Sequence, residues 1–318
     1  MVGMTVGLLL VTALIILFAN NSRTRQEMEK SAQQIENGRY ATQLLLEEFR
    51  LAGYYGELDP SSLTIPASKP NPCLTASASL IAALPLPVQG YDNGSTVPSC
   101  LSDVKSGTDI VVIRRTSTCV AGISGCDAMD TSKYTYFQTN LCASTLGQFV
   151  IDTNSASFTK TKRDCVTIAV IRSYFTSIYF VANNNQPGDG IPTLKVAELG
   201  SGAFTISPLV AGIEQLQLEY GIDTNADGTP DAYTADPDSY NSCSGVACQT
   251  NWRNVTTVKI NMLVRNTQTS ANSLDTRTYV LGKKADGTDN TFGPFNDLYK
   301  RHVYTTLVRL SNVAGRLE

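Results

Sequence analysis

The sequence has one histidine, His302, and no C-x-x-C pair among its eight cysteines. A single imidazole cannot build a multi-histidine metal site, and it leaves few routes to histidine-centred acid–base catalysis. Without that cysteine spacing or histidine partners, zinc and redox-motif readings are weak. A basic excess is also missing. The chain carries 25 Lys and Arg against 28 Asp and Glu, a net charge of −3, whereas a protein that neutralises phosphates needs a basic surface. Direct nucleic-acid binding is therefore not expected. Charged residues make up 17% of the chain, below the roughly 25% of an average soluble domain. No G-x-S-x-G, H-E-x-x-H or Walker loop occurs, so the composition leans against an enzyme.

What is present begins with an apolar run. Residues 1–22 carry no charge and residues 1–19 are almost wholly apolar, about 30 Å of helix, one hydrocarbon thickness. A signal peptide would place a basic residue before the core and a small-x-small site after it. Neither occurs, so the segment is expected to be retained as a transmembrane helix. Beyond it, Met28, Ala32, Ile35, Gly38, Ala41, Leu45, Phe49 and Ala52 recur at intervals of three or four, an amphipathic stripe. Glu29, Lys30, Gln33, Glu36, Arg39, Gln43, Glu47 and Arg50 form the wetted face, with Gly53 as a C-cap. The chain divides into a transmembrane helix (1–22), an amphipathic continuation (23–53) and a β-rich domain (54–318).

Residues 54–100, rich in Pro, Ser, Ala and Gly, read as a long loop region. After them come strand-like runs at 109–115, 134–137, 148–151, 167–171, 177–181, 193–196, 213–220, 255–264 and 303–310. Several alternate apolar and polar residues, as half-buried antiparallel strands do, and no long helices intervene as a parallel α/β sheet requires. The expected fold class is α+β: a long N-terminal helix packed on an antiparallel sheet with disulfide-tied loops. An even cysteine count in Ser/Thr/Asn-rich surroundings suits an oxidising compartment. Short loops are cheapest to close, which favours Cys73–Cys100, Cys119–Cys126, Cys142–Cys165 and Cys243–Cys248.

Residues 223–231, Asp-Thr-Asn-Ala-Asp-Gly-Thr-Pro-Asp, match the first part of a calcium loop. The side chains of Asp223, Asn225, Asp227 and Asp231 and the carbonyl of Thr229 are the candidate Ca2+ ligands, and Gly228 permits the sharp turn. The twelfth position is Thr234 rather than glutamate, so Asp236 or Asp238 would have to substitute; a metal-free polar turn is the alternative. Trp252, Tyr54 and Tyr55 are expected in the core rather than in a ligand site, and His302 in a terminal strand.

A long apolar helix, an amphipathic continuation and a disulfide-tied β domain together resemble a type IV pilin, and more closely the PilW family of minor pilins. The resemblance is carried by Glu36-Asn-Gly-Arg-Tyr-Ala and Leu44-Leu-Leu-Glu-Glu-Phe-Arg-Leu-Ala-Gly-Tyr-Tyr-Gly. Further matches are Gly107-Thr-Asp-Ile-Val-Val-Ile-Arg, Ile213-Glu-Gln-Leu-Gln-Leu-Glu-Tyr-Gly-Ile-Asp and Arg301-His-Val-Tyr-Thr-Thr-Leu-Val-Arg-Leu-Ser-Asn. Type IV pilins usually begin with Phe-Thr-Leu and a glutamate shortly after. These residues are missing here, so the chain is expected to start a few residues late. The resemblance implies a structural role in pilus assembly, serving twitching motility, adhesion or DNA uptake. It implies residence in the bacterial inner membrane before assembly and in the extracellular pilus afterwards. Other pilin subunits would be the partners, through the N-terminal helix, with a tip adhesin as a further one. Gly3 and Gly7 would allow close approach of helices, and Leu10, Leu14 and Leu17 would pack between them. A minor pseudopilin of type II secretion and a membrane-tethered calcium-dependent adhesin are the alternatives.

Overall fold

The computed structural model describes residues 2–94, 96–145, 148–271 and 273–316. Helix α1 (Val2–Leu51) is continuous through Asn37-Gly38, about 75 Å long at the usual rise per residue. Gly53 ends it with a φ of +74°, and its N–H donates to the carbonyl of Arg114 at 2.9 Å. The segment expected as loop holds a short helix, α2 (Ser77–Ala83), and a strand, β1 (Val88–Tyr91). Proline and small residues hid both.

Strands β2 (Ile110–Thr116), β3 (Thr135–Thr139), β4 (Phe149–Asp152), β5 (Ile171–Ala182), β6 (Thr193–Leu199) and β7 (Phe204–Ala211) complete the first antiparallel sheet with β1. Its long strand β5 pairs with β2 along one edge, while the other edge takes β3 near Tyr174 and then β6 from Ser177. The run at 167–171, expected as strand, contributes only Ile171 to β5; Ile168 makes an isolated bridge to Thr161. The second sheet, ordered β13-β10-β8-β9, contains β8 (Ile213–Ile222), β9 (Ala232–Thr234), β10 (Val255–Arg265) and β13 (Arg301–Arg309). Helix α3 (Val246–Arg253) precedes β10, a hairpin of β11 (Tyr279–Lys283) and β12 (Asp289–Phe292) interrupts the path to β13, and α4 (Ser311–Ala314) follows it. The architecture is α+β.

The upper part of α1 closes the main core. Ala41, Leu45, Phe49 and Ala52 are fully buried among Val111 and Ile113 of β2, Leu216 and Leu218 of β8, Ile260 and Met262 of β10, and Val308 of β13. The Glu48 carboxylate takes two hydrogen bonds from Arg115, both 2.9 Å, tying the helix to β2. Tyr55 and Trp252 are core residues as expected, and Tyr54 is half-buried. Four disulfides close the loops, pairing Cys73 with Cys100, Cys119 with Cys126, Cys142 with Cys165 and Cys243 with Cys248.

Candidate functional site: the two faces of the long helix and the acidic loop

α1 is the one helix, among the described residues, long and apolar enough to cross a membrane by length and composition. Among the described residues of its N-terminal half, 3–5 and 7–21 are exposed. Leu10, Leu14 and Leu17 are exposed, and no atom lies within 4 Å of where a Cβ on Gly3 or Gly7 would stand.

The lower docking face departs from the expected stripe. Met28 and Ile35 are 66% and 44% exposed, and Ala32 is exposed as well. The domain instead grips Glu27, Lys30, Gln34, Asn37 and Gly38, one position round the helix. Gln34 Nε2 donates to the carbonyls of Val264 (2.7 Å) and Lys300 (2.9 Å), and Asn37 Nδ2 to Ala211 O at 3.0 Å. Lys30 Nζ donates to Thr269 O at 2.8 Å, and Glu27 binds both Lys30 and Lys300. The Lys300 ammonium foremost, then Ser270 and Lys30, hold the Glu27 carboxyl well below its ordinary value, at about 2. Sheet carbonyls and a surface lysine, not apolar side chains, meet this segment, so the apolar residues turn outward. Met28, Ala32 and Ile35 thus extend the exposed apolar surface of residues 3–18 up one side of the helix.

The Asp223–Asp231 loop links β8 to β9. The Asp223 side chain is fully buried and accepts N–H groups from Asn225 (3.1 Å), Ala226 (2.7 Å) and Gly228 (2.7 Å). Gly228 has a φ of +80°, the sharp turn its position required. Thr229 donates to Asp227 and Thr224 to Asp231, holding both carboxyls below their ordinary range. The carboxylates of Asp227 and Asp231 converge on one atom, the Asn225 amide nitrogen, at 3.1 and 3.2 Å. Among the described residues no group of three or more His, Cys, Asp or Glu side chains is gathered closely enough to hold a metal. The loop oxygens are engaged by the loop's own donors, and as folded they do not form a cation shell.

Asp236 and Asp238 are drawn elsewhere, to a cavity of about 520 Å³ that they line with Lys69, Tyr91 and Asp92. Lys69 is ion-paired with Asp238 at 2.5 Å, and its ammonium lies 4.2 Å from the Tyr91 ring centre. Trp252 Nε1 also donates to Asp238, at 2.9 Å. That pairing removes Asp238 as a stand-in for the missing loop glutamate. His302 is exposed and stacks edge-on against Tyr304, 4.9 Å between ring centres.

Sequence reasoning missed a buried ionic cluster at the foot of β13. The Arg301 guanidinium, fully buried, donates to Glu214, Asp275 and Asp297. Arg301 holds the Asp297 carboxyl below its ordinary range. Burial pushes Asp275 upward, but hydrogen bonds from Tyr279, Arg277 and Arg301 outweigh it. Asp297 is only four residues from Arg301, but Glu214 lies 87 residues away on β8 and Asp275 lies 26 away, before the β11–β12 hairpin, so no local pattern announces the cluster.

No curated protein and no solved structure matches the chain. A family model does, the one described as Type IV Pilus-assembly protein W, over residues 178–312. That stretch runs from within β5 through β13 into α4 and takes in two of the resembling segments, 213–223 and 301–312. Over residues 178–312, less than half of its length, the chain is thus similar to the PilW family of type IV pilus-assembly proteins.

Proposed function

We propose that this chain is a minor pilin, a structural subunit that primes or caps a type IV pilus and so serves twitching motility, adhesion or DNA uptake. The observation that carries the proposal is the helix half that no part of the domain covers. Before assembly residues 1–22 span the inner membrane, and after extraction the same surface packs among neighbouring helices in the filament. Gly3 and Gly7 allow the backbones to approach and Leu10, Leu14 and Leu17 fill the contact. The role requires no catalysis. Mass spectrometry of purified filaments tests it: the chain should be present at far below the level of the major subunit. Recovery with a secretion apparatus, together with a secretion defect on deletion, would favour the pseudopilin reading instead.

Calcium at the Asp223–Asp231 loop belongs to this proposal as a stiffening element for a surface loop that meets a neighbouring subunit or tip adhesin. Its support is donor chemistry: an ion displacing the Asn225 amide nitrogen would meet the oxygens of Asp227 and Asp231. The loop must rearrange to complete the shell, which sets a modest affinity.

A further inference from the structure

The contacts between α1 and the second sheet give the domain a top and a bottom. Asn312 Nδ2 donates to the carbonyls of Arg50 and Ala52, both at 3.2 Å. Tyr304 meets Ile35 and Gly38, the Lys300 carbonyl meets Gln34, and the Lys300 ammonium meets Glu27. Strand β13 therefore runs alongside α1 in the same direction, and the segments just before it reach the level of Glu27, whose carboxylate takes hydrogen bonds from Ser270 and Lys300. Leu298 lies there. Its carbonyl accepts from Ser270 N at 2.8 Å, and Thr269 is held to Lys30. An isolated antiparallel bridge pairs Asp275 with Asp297, which sets Leu274 opposite Leu298. Both leucines face solvent, Leu274 60% and Leu298 40% exposed.

The height of this pair follows from the helix. Glu27 stands five residues past Ser22 and eight past Ala19, the end of the apolar run, or about 8–12 Å along the axis. The headgroup layer reaches about 5–8 Å beyond the hydrocarbon on each side. Leu298 stands at the level of the Glu27 carboxylate, its carbonyl bonded to Ser270, which in turn reaches Glu27. The charges around the pair are each held in an ion pair, with Lys30 and Lys300 sharing Glu27, Arg277 on Asp275 and Asp297 on Arg301. Bringing this end of the domain against headgroups would therefore leave few charges to desolvate without a partner.

We propose that the turns carrying Leu274 and Leu298 rest on the headgroup layer of the membrane that α1 crosses, the two leucines entering the interface and fixing the tilt of the domain before assembly. The inference rests on the reading of residues 1–22 as membrane-spanning. The two leucines lie at the foot of the domain beside the helix as it leaves the apolar run, and a flat lipid surface is the partner that this continuity supplies.

Tryptophan scanning in lipid tests it. The full chain is placed in vesicles of phosphatidylcholine and phosphatidylglycerol, with and without bromine near the headgroup end of the acyl chains. Leu274→Trp, Leu298→Trp, Phe18→Trp and Leu307→Trp are compared with the parent, whose one tryptophan, Trp252, is buried. Brominated lipid should quench tryptophan at positions 18, 274 and 298 and leave position 307, exposed farther up β13, unquenched. Quenching at 18 alone would overturn the proposal and leave the membrane span standing. Equal quenching at 307 would overturn it too, since the domain would then lie flat without a preferred contact. Failure of all four, position 18 included, would remove the span and with it this inference. As a second measurement on the native side chains, hydrogen exchange around Ser270 and Lys300 should slow in vesicles relative to detergent micelles, and an unchanged rate counts against the contact.

Discussion

The ring of Tyr304 occupies the notch that Gly38 leaves in α1: a Cβ on that glycine would stand 2.3 Å from Tyr304 Cε2. The same tyrosine's hydroxyl donates to the carbonyl of Ile35 at 3.3 Å. Together they fix where the lower helix meets β13. Glycine inside a helix costs about 1 kcal/mol against alanine, so the position trades helix propensity for fit.

Gly38→Ala should therefore destabilise the protein, by about 1–2 kcal/mol, because overpacking outweighs the helix gain. In a Tyr304→Ala background the same change should stabilise it by about 1 kcal/mol. Thermal unfolding of the four proteins closes the double-mutant cycle. A stabilising Gly38→Ala in the wild-type background would mean that the ring swings away freely.

Phe49 and Ile35 separate the two halves of the docking face. Phe49→Ala, at a fully buried site, should cost about 3–5 kcal/mol. Ile35→Ala, on the outward face, should change stability by less than about 0.5 kcal/mol. If Ile35 has a filament role, its loss will register in assembly and not in unfolding of the isolated chain.

That contrast marks how far the sequence is legible. Residues 41, 45, 49 and 52 are apolar at helical spacing and meet apolar strands, so periodicity alone locates their burial. The strong alternation of β10 and the apolar runs of β8 and β13 were readable for the same reason. Below Gly38 the contacts are amide to carbonyl and lysine to glutamate across more than 170 residues of chain. Such pairs leave no period, and the visible period of Met28, Ala32 and Ile35 belongs to the opposite, outward face. Strand β7 carries Pro208 and several exposed positions, and β1, β9 and β12 have four residues or fewer. Each is held by its neighbour's hydrogen bonds rather than by a pattern of its own.

The lower face should also be the acid-sensitive one. Hydrogen bonds from Lys300, Ser270 and Lys30 lower Glu27 from 4.5 to about 2. A carboxyl depressed on folding contributes stability above its unfolded value and loses it as pH falls through the folded one. Wild type and Glu27→Gln, unfolded by heat in detergent, should differ most above pH 4.5 and converge toward pH 2. A difference that stays constant across that window would mean that Glu27 is not gripped by Lys300.

The loop between β8 and β9 sets two outcomes against each other. Without calcium, Asp223 already organises the turn by accepting three N–H groups, one of them the buried N–H of Gly228. Asp223→Ala should therefore destabilise the metal-free protein, by about 1–3 kcal/mol for the orphaned donor. Asp227→Ala removes only an exposed carboxylate held by Thr229 and should cost much less. Calcium reverses the ranking of interest, because Asp227 and Asp231 are the oxygens that converge on Asn225. Carboxyls already held below their ordinary range are ionised at neutral pH and need no deprotonation to take an ion. Under the calcium proposal, millimolar calcium should raise the melting temperature of wild type and give a binding heat, and Asp227→Ala and Asp231→Ala should each abolish both. If wild type shows neither response while Asp223→Ala remains destabilising, the loop is a turn closed by its own N–H groups and the metal is dispensable.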